Sequence, residues 1–476
     1  MIALADSPNR SQHPLLKIYK IEDIIRFALK MVETNATESG VERSSRYQMI
    51  RGRSKSYVAI YLAILMALLA CSKENPLDSG IPLAPVFYVE ASNGTRLESS
   101  KADEPINPAS VVKVATSLWA ITELGPDYRF ETQVAYRGKI NVAEQSIEGD
   151  LLVFGSGDPD FHIENAYLLA REINRIGIRK IHGNLLVNSK FWIGWEGGSE
   201  RREKDAIQRT INMAVRLRNA LNPKLWSDGS LQSIVNFEKR RAFSADKRPG
   251  VIVLGTAGGM SANGVDPEIH PLFTHKSNSL VSILKRFNSF SNNDIERLGD
   301  TLGSATDLSV WLSKRWGEIG RGVSLETLSG LGINRLSPRQ IVHLLNDLAR
   351  ACKNSGIFLA DILPVAGCDP GTVKNYPRLR NFLRGNLTSK TGTLWQTDGG
   401  VSVLAGVLQT NKGQRIFCVA TAKSGQHIPK ARAQQEQWLI DLVQTNGGAP
   451  QGECGPRPIF SDNDVTFTRD DEVGLF

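Results

Sequence analysis

The sequence has few of the residues and spacings that mark metal sites, fibrous proteins or membrane channels. Its 476 residues include five cysteines without a C-x-x-C pair, and none of the seven histidines lies in an H-E-x-x-H pattern. Because structural and catalytic zinc sites use such spacings, we expect no metal. Aromatic residues make up 7% of the chain and charged residues 22%. These values, without internal repeats, exclude a collagen, a coiled coil and a multi-span membrane protein.

The chain also lacks a concentrated charge of one sign. The formal net charge is +8, with 57 Lys and Arg against 49 Asp and Glu, and half of the excess lies in residues 1–70. We find no basic stripe with interleaved aromatic residues, so we expect no nucleic acid partner. The glycine cluster at 155–159 is not followed by G-K-[ST]. It therefore predicts a turn rather than a phosphate loop, and we expect no cofactor.

The longest uncharged apolar run covers residues 57–70, and Cys71 follows it. At about 1.5 Å per residue, a helix of this length is too short for a hydrocarbon core of about 30 Å. It has the length of the apolar segment of a secretory signal, with Arg51, Arg53 and Lys55 as the positive flank. The run therefore predicts export rather than a membrane-spanning helix.

Because a signal peptide starts a chain, we expect translation from Met49 and interpret residues 1–48 as an upstream extension. A true N-terminal helix ahead of an internal anchor is the alternative. Residues 49–71 then form the signal peptide, and the sequence LLAC at 68–71 resembles the bacterial lipoprotein cleavage box. We expect an exported, periplasmic protein. Three mature forms fit the sequence: a membrane-anchored form with a lipid on Cys71, a form with the signal peptide cleaved and no lipid, and a form in which the uncleaved signal peptide is the anchor.

Four cysteines follow Cys71 in the chain: Cys352, Cys368, Cys418 and Cys454. Export permits disulfides among them, and four cysteines allow three pairings. Cys352 and Cys368 are the closest pair in sequence, but the spacing does not select a pairing.

Strand patterns near both ends of the chain and helical patterns between them predict one α+β sheet domain with an interrupted middle. Residues 196–250 have weak periodicity and predict a loop-rich insert. After Asn446 the chain is rich in Gly and Pro and predicts a loose tail. The strand patterns lie at 85–90, 96–98, 149–155, 180–187, 401–408 and 415–421. The helical patterns begin at Pro108 and at Leu280 and cover 165–176 and 434–443.

The first pattern that carries chemistry is S-x-x-K, from Ser110 to Lys113, in the helix that follows Pro108. A spacing of three places both side chains on one helix face, so the amine can reach the hydroxyl. A serine hydroxyl becomes a good nucleophile when a neighbouring base takes its proton. A lysine can be that base when burial or a nearby cation lowers its pKa.

Two further patterns follow, and their order selects among repeated matches. S-x-N covers Ser291 to Asn293 at the end of a helix, and K-T-G begins at Lys390 and enters an extended run. Serine enzymes that react with β-lactams need S-x-x-K at a helix start, then S-x-N between helices, then K-T-G on a strand. Only the set that begins at Ser110 has this order. Other matches occur at 244–247 and 282–285 for S-x-x-K and at 7–9 and 461–463 for S-x-N.

With these motifs the chain resembles the class C penicillin-binding proteins, the D-alanyl-D-alanine carboxypeptidase/endopeptidases of the DacB type. The resemblance runs over residues 85–443 and extends beyond the three motifs. It implies an α+β fold of the penicillin-binding/serine β-lactamase-like transpeptidase type, an antiparallel sheet flanked by helices, with an inserted domain. The implied parts are the catalytic domain at 72–133 and 266–445, the inserted region at 134–265 and the tail at 446–476. The matching segments are 107–113, 124–130, 149–159, 291–293, 329–331, 334–335, 363–367 and 389–394.

The resemblance implies roles for the catalytic residues. Ser110 is the expected nucleophile that forms an acyl-enzyme, and Lys113 is its expected general base. Ser291 is expected to relay a proton to the departing D-alanine. The backbone N–H groups of Ser110 and Thr393 are expected to form the oxyanion hole, where one lost donor typically costs about 3 kcal/mol.

It also implies a substrate-binding set. Asn293 is expected to bind the substrate backbone, and Lys390 to face the terminal carboxylate with its positive charge. Thr391 is expected to supply a hydroxyl donor, and Gly392 and Thr393 to continue the substrate-binding strand. The expected partners are peptidoglycan peptides, with β-lactam antibiotics as covalent inhibitors.

The chain departs from the family pattern in two places. Residues 327–332 are TLSGLG where the family usually has DGSGLS, so a second serine is missing. The stretch between the first two motifs is also shorter than in many relatives, which leaves a substrate-guiding role of the insert open.

Two other functions share features with this prediction. A serine β-lactamase carries the same motifs, but we find no Glu-x-x-Leu-Asn segment that would supply a deacylating base. An inactive peptidoglycan-binding scaffold is disfavoured because Ser110, Lys113, Ser291 and Lys390 are intact.

Overall fold

The computed structural model describes residues 84–194, 203, 205–260, 268–455 and 465–468. The predicted upstream extension, the signal segment and Cys71 lie outside the described residues. Within those residues, no helix combines the length and the apolar character that a bilayer crossing needs.

A five-stranded antiparallel sheet forms the centre of the catalytic domain. Its strand order is β10-β11-β12-β1-β2, so the last three strands of the domain lie beside the first two. The residues of β11 and β12 are buried almost throughout, because helices cover both faces of the sheet. The strands are β1 (Val86–Ala91), β2 (Arg96–Ser100), β10 (Leu387–Leu394), β11 (Val401–Thr410) and β12 (Gly413–Ala422).

Two helical layers pack on this sheet and enclose separate apolar cores. The larger core joins the sheet to the helices that carry the first two motifs, and the smaller one joins it to the C-terminal helix. The predicted helices near Leu280 and at 434–443 are confirmed, although the second begins earlier, at Ile428. The helices are α1 (Val112–Leu124), α5 (Leu280–Phe290), α6 (Gly299–Leu302), α7 (Ala305–Trp316), α8 (Pro338–Asn354), α9 (Pro377–Phe382) and α10 (Ile428–Thr445).

A second sheet with its own apolar core forms the inserted part of the chain. Its long strands begin with Glu131 and end with Lys276, beyond both ends of the predicted inserted region at 134–265. The antiparallel strands β9, β3 and β4 are its main ladder, and short parallel strands extend it. Its strands are β3 (Glu131–Asn141), β4 (Ser146–Gly155), β5 (Lys180–Ile181), β6 (Leu185–Val187), β7 (Ile252–Val253), β8 (Ala257–Gly259), β9 (Ile269–Lys276) and β13 (Thr466–Thr468).

The prediction of a loop-rich stretch at 196–250 is wrong. The inserted part carries α2 (Ile163–Arg175), and the stretch itself carries α3 (Ala206–Leu221) and α4 (Asp228–Arg241). Asp205 and Ser227 cap the N-termini of α3 and α4 with their side-chain oxygens. Apolar residues of α3 pack into the core of the inserted sheet, and Ile234 and Phe237 of α4 pack against α2 in a separate small cluster. Tertiary packing therefore stabilises both helices despite the weak periodicity of their sequence.

The prediction of a loose tail at 446–476 is wrong for the part that the structure describes. The strand β13 pairs with β9 of the inserted sheet. Cys454 forms a disulfide with Cys368, whereas Cys352 and Cys418 are free and buried. The cysteines closest in sequence are therefore not the bonded pair, and the tail is fixed to both parts of the molecule.

Candidate active site

Ser110 lies in a 3-10 turn, Ala109–Val111, that leads directly into α1. The side-chain oxygen of Asn107 accepts the backbone N–H of Ala109 at 3.1 Å. Ala109 has a φ of +49°, a left-handed conformation that residues with a Cβ rarely adopt. The strained turn is thus held by its neighbours, and it places the half-buried Ser110 hydroxyl at the start of the helix.

The side chain of Lys113 is completely buried directly below Ser110. Its Nζ lies 3.1 Å from Ser110 Oγ, 2.9 Å from Asn293 Oδ1 and 2.6 Å from the carbonyl oxygen of Ser329. Burial lowers the pKa of Lys113 to about 7, against a smaller raising effect of the Glu296 carboxylate. A large fraction of this amine is therefore neutral near pH 7 and able to accept a proton.

Glu296 is a site residue that the sequence did not reveal. It lies in the 3-10 segment Asn293–Leu298 that follows the S-x-N motif. Its carboxylate accepts the backbone N–H groups of Leu328 at 3.2 Å and Ser329 at 2.8 Å. Glu296 thereby positions the loop whose Ser329 carbonyl oxygen accepts a hydrogen bond from Lys113. These residues are far apart in the sequence, so no local motif indicates the contact.

The S-x-N motif begins where α5 ends. Ser291 has a φ of +55° at the C-terminal cap of that helix, which turns its hydroxyl towards the K-T-G strand. Lys390 Nζ donates to Ser291 Oγ at 3.1 Å and to the carbonyl oxygen of Thr391 at 2.7 Å. Asn293, expected to bind the substrate backbone, has its Oδ1 on Lys113 instead, which leaves its amide group as the part for that role.

Lys390 is as fully buried as Lys113. Burial, and then the nearby charge of Lys113, hold the pKa of Lys390 well below its usual value. Each of the two lysines with a lowered pKa therefore contacts one serine hydroxyl: Lys113 contacts Ser110, and Lys390 contacts Ser291.

Glycine at position 392 allows the K-T-G strand to approach the turn that carries Ser110. A Cβ at Gly392 would lie 2.5 Å from the carbonyl oxygen of Pro108 and 3.4 Å from the backbone N of Ser110. On the other side of the turn, a Cβ at Gly330 would lie 1.9 Å from the carbonyl oxygen of Ala109. Both glycines are needed for this close approach of backbones.

The structure explains why this chain has glycine where the family pattern has its second serine. Gly332 stands at that position with a φ of +72°, and a Cβ there would lie 2.6 Å from Glu326 Oε2. Asn107 donates its amide to the carbonyl oxygen of Gly332 at 2.9 Å. Glycine at position 332 therefore allows the backbone to pack closely behind the turn that carries Ser110.

Two further residues line the K-T-G strand from distant elements. Thr391 and Thr372 share a hydrogen bond of 2.7 Å between their hydroxyls. Arg432, on the first turns of α10, donates Nη2 to Thr393 Oγ1 at 2.9 Å. No sequence motif marks Thr372 or Arg432, because both approach the strand only in the folded chain.

The structure thus brings the predicted residues together around Ser110. The alternative S-x-x-K matches do not join them: Lys285 pairs with Asp369, and residues 244–247 lie in the inserted part. The alternative S-x-N matches at 7–9 and 461–463 lie outside the described residues. The residues gathered at the site are Ser110, Lys113, Ser291, Asn293, Lys390, Thr391, Gly392 and Thr393.

The chain is similar to known D-alanyl-D-alanine carboxypeptidases and peptidoglycan endopeptidases. A D-alanyl-D-alanine carboxypeptidase of Actinomadura sp. (strain R39) is 25% identical over 481 residues, covering 80% of this chain and 84% of the relative. The solved predatory peptidoglycan endopeptidase Bd3459 of Bdellovibrio bacteriovorus has a TM-score of 0.66 and 24% identity, covering 80% of this chain and 98% of the other.

Penicillin-binding protein 4 (dacB) of Haemophilus influenzae has a TM-score of 0.52 and 17% identity, covering 76% of this chain and 96% of the other. Both likenesses to solved structures support the fold. Residues 83–212 and 250–442 match the family described as D-Ala-D-Ala carboxypeptidase 3 (S13). This match covers more than half of the sequence and includes all three motifs, so the chain belongs to the D-Ala-D-Ala carboxypeptidase 3 (S13) family of serine peptidases.

Proposed function

We propose that Ser110 is the nucleophile of this serine D-Ala-D-Ala carboxypeptidase/endopeptidase, and that Lys113 is its general base. The observation that carries the proposal is the position of Lys113 Nζ, 3.1 Å from Ser110 Oγ and fully buried among neutral hydrogen-bond partners. A buried lysine whose contacts are neutral can lose its proton near pH 7 and take the serine proton.

The proposed reaction begins with attack of Ser110 Oγ on the carbonyl carbon of the penultimate D-alanine. The hydroxyl proton passes to Lys113 Nζ, and the oxyanion faces the N–H groups of Ser110 and Thr393. The C–N bond then breaks, and the departing amine receives a proton through Ser291, which lies within reach of Lys390. Water hydrolyses the acyl-enzyme and restores the Ser110 hydroxyl.

The proposed substrates are peptidoglycan stem peptides and the D-Ala cross-links between them. The test is separation by HPLC of a muropeptide digest with and without the enzyme. We expect pentapeptides to become tetrapeptides with release of free D-alanine, and cross-linked dimers to become monomers. A digest that stays unchanged would contradict the proposal, and Ser110→Ala protein is the matched control.

We further propose that β-lactams acylate Ser110 and leave a lasting adduct. In support, Bd3459 is described in a penicillin G acylated form and the H. influenzae protein in complex with a β-lactam. Nothing in the described residues favours the serine β-lactamase alternative. Steady-state nitrocefin turnover tests it: a single burst is expected here, and sustained turnover would identify a β-lactamase.

Since peptidoglycan lies outside the cytoplasm, the enzyme acts as an exported protein. We propose a periplasmic location and a lipid on Cys71, supported by the basic flank, the apolar run and the LLAC box of the sequence. Expression from Met49 in a bacterial host should give the same mature product as the full chain. Mass spectrometry of its N-terminus is the measurement, and an unmodified peptide that runs through Cys71 would exclude lipidation.

A further inference from the structure

The side chain of Lys390, the residue expected to face the substrate carboxylate, is enclosed by the protein. Its Nζ already donates to Ser291 Oγ and to the carbonyl oxygen of Thr391, and none of its surface is exposed. Its pKa is lowered by burial and by the charge of Lys113. An amine that is buried and already donates two hydrogen bonds is a weak partner for an anion.

Arg432 is the other cation at the strand, and it stays charged because a guanidinium does not deprotonate in proteins. It is half-buried, it lies 5.9 Å from the ring centre of Tyr376, and it donates to Thr393 Oγ1 at 2.9 Å. Within the described part of the chain, no acidic side chain forms an ion pair with it. The nearby Glu436 accepts the backbone N–H of Arg378 instead. A cation that is partly desolvated and has no carboxylate partner lowers the stability of the folded protein. An anion bound beside Arg432 would supply the missing partner.

The hydrogen bond between Arg432 and Thr393 also determines the direction of the hydroxyl proton. Because Thr393 Oγ1 accepts from Arg432, its own O–H group is free to donate to a further acceptor. Thr393 belongs to the strand that approaches Ser110, next to Gly392. In a D-Ala-D-Ala peptide, the terminal carboxylate carbon lies within about 4 Å of the attacked carbonyl carbon, since only N and Cα separate them.

We propose that Arg432 is the residue that selects for the free terminal carboxylate of the substrate. It acts as a positioning residue through Thr393: it orients the hydroxyl that donates to the carboxylate and adds a permanent positive charge behind it. The same arrangement serves the carboxylate of a penicillin. This inference rests on the proposed attack by Ser110.

The experiment compares acylation by benzylpenicillin with acylation by its methyl ester, which lacks the carboxylate charge. The variants are Arg432→Gln, Arg432→Lys and Thr393→Val, and Lys430→Gln is the control that removes one charge from the same helix. The measured quantity is the second-order acylation rate constant, followed by mass spectrometry of the adduct.

We expect Arg432→Gln to slow benzylpenicillin roughly 30-fold or more while the methyl ester changes less than about threefold. Arg432→Lys should recover part of the selectivity, and Thr393→Val should lose it, with little further loss in the double variant Thr393→Val/Arg432→Gln. Lys430→Gln should keep the wild-type ratio. A loss that is equal for both compounds, or an unchanged ratio, would overturn the role of Arg432. Wild-type protein that neither compound acylates at Ser110 would instead overturn the proposed function.

Discussion

The same S-x-x-K spacing occurs in two buried regions of the catalytic domain, at 110–113 and at 282–285. Lys113 contacts a serine hydroxyl, an amide oxygen and a carbonyl oxygen. Lys285 contacts two carbonyl oxygens at 2.8 Å and the Asp369 carboxylate at 2.5 Å. The hydroxyl of Ser282 is paired with that of Ser279 rather than with the lysine.

The difference lies in the partner of each amine. A carboxylate at hydrogen-bond distance stabilises the charged form of Lys285 and makes it a structural ion pair. Lys113 has neutral partners and complete burial, which favour its neutral form. Identical spacing therefore gives an ion-paired lysine in one region and the proposed general base in the other. Four experiments test this contrast.

The largest expected effect separates the two serines. Ser110→Ala should abolish labelling by fluorescent penicillin and lower kcat/KM for a diacetyl-Lys-D-Ala-D-Ala peptide by at least about 1000-fold, because the covalent intermediate cannot form. Ser282→Ala should leave both within about twofold, since the hydroxyl of Ser282 contacts Ser279 and not the site around Ser110. A labelling gel with a kinetic assay measures this, and labelling that survives Ser110→Ala would refute the assignment of the nucleophile.

The next effect concerns the proton of Lys113. Lys113→Met should slow acylation about 100- to 10,000-fold, the range for loss of a general base. In the wild type the rate should rise with pH through about 7, where the pKa of Lys113 lies, because the neutral amine is the active form. The variant should lack that rise. A wild-type rate that is flat between pH 5.5 and 8.5 would contradict the role of Lys113.

Stability provides the control for that variant. The pKa of Lys113 is lowered in the folded protein to about 7, against about 10.5 in the unfolded chain. Above pH 10.5 the amine is neutral in both states, so its protonation does not change the free energy of unfolding. As the pH falls from 10.5 towards 7, the unfolded chain binds the proton more tightly, and the free energy of unfolding decreases. Below pH 7 the full decrease is present. Lys113→Met removes it, so the melting temperature at pH 6 should not fall, and lost acylation is then not a consequence of unfolding.

The smallest effect on the chemistry is expected at Lys285. Lys285→Met leaves the Asp369 carboxylate buried without its cation, which should lower the free energy of unfolding by about 3–5 kcal/mol. Denaturant unfolding measures this, and acylation per folded molecule should change little. The double variant Lys285→Met/Asp369→Leu should regain most of the stability. Acylation that falls as far as in Lys113→Met would remove the distinction between the two lysines.

Several elements could be predicted because their signals are local. The strands at 401–408 and 415–421 are apolar runs that correspond to β11 and β12. The helix before Ser291 shows its periodicity in Leu280, Leu284 and Phe287, which are all fully buried. The strand expected at 180–187 is interrupted into β5 and β6, because residues 182–184 leave the ladder between them.

Other features could not be predicted because they depend on contacts across the fold. The helices of the loop-like stretch, the anchoring of the tail and the Cys368–Cys454 bond depend on residues far apart in the chain. Glu296 and Arg432 belong to the site through hydrogen bonds to a loop and a strand that no motif links to them.

The residue types of the proposed chemistry and their order along the chain can be read from the sequence. S-x-x-K, S-x-N and K-T-G are local spacings, and a helix or strand places their side chains on one face wherever it lies. The environment that distinguishes the two S-x-x-K lysines exists only in the folded chain. The pKa of an amine depends on its burial and on the charges within a few ångströms. For Lys113 and Lys285 those neighbours come from chain segments 75 or more residues away.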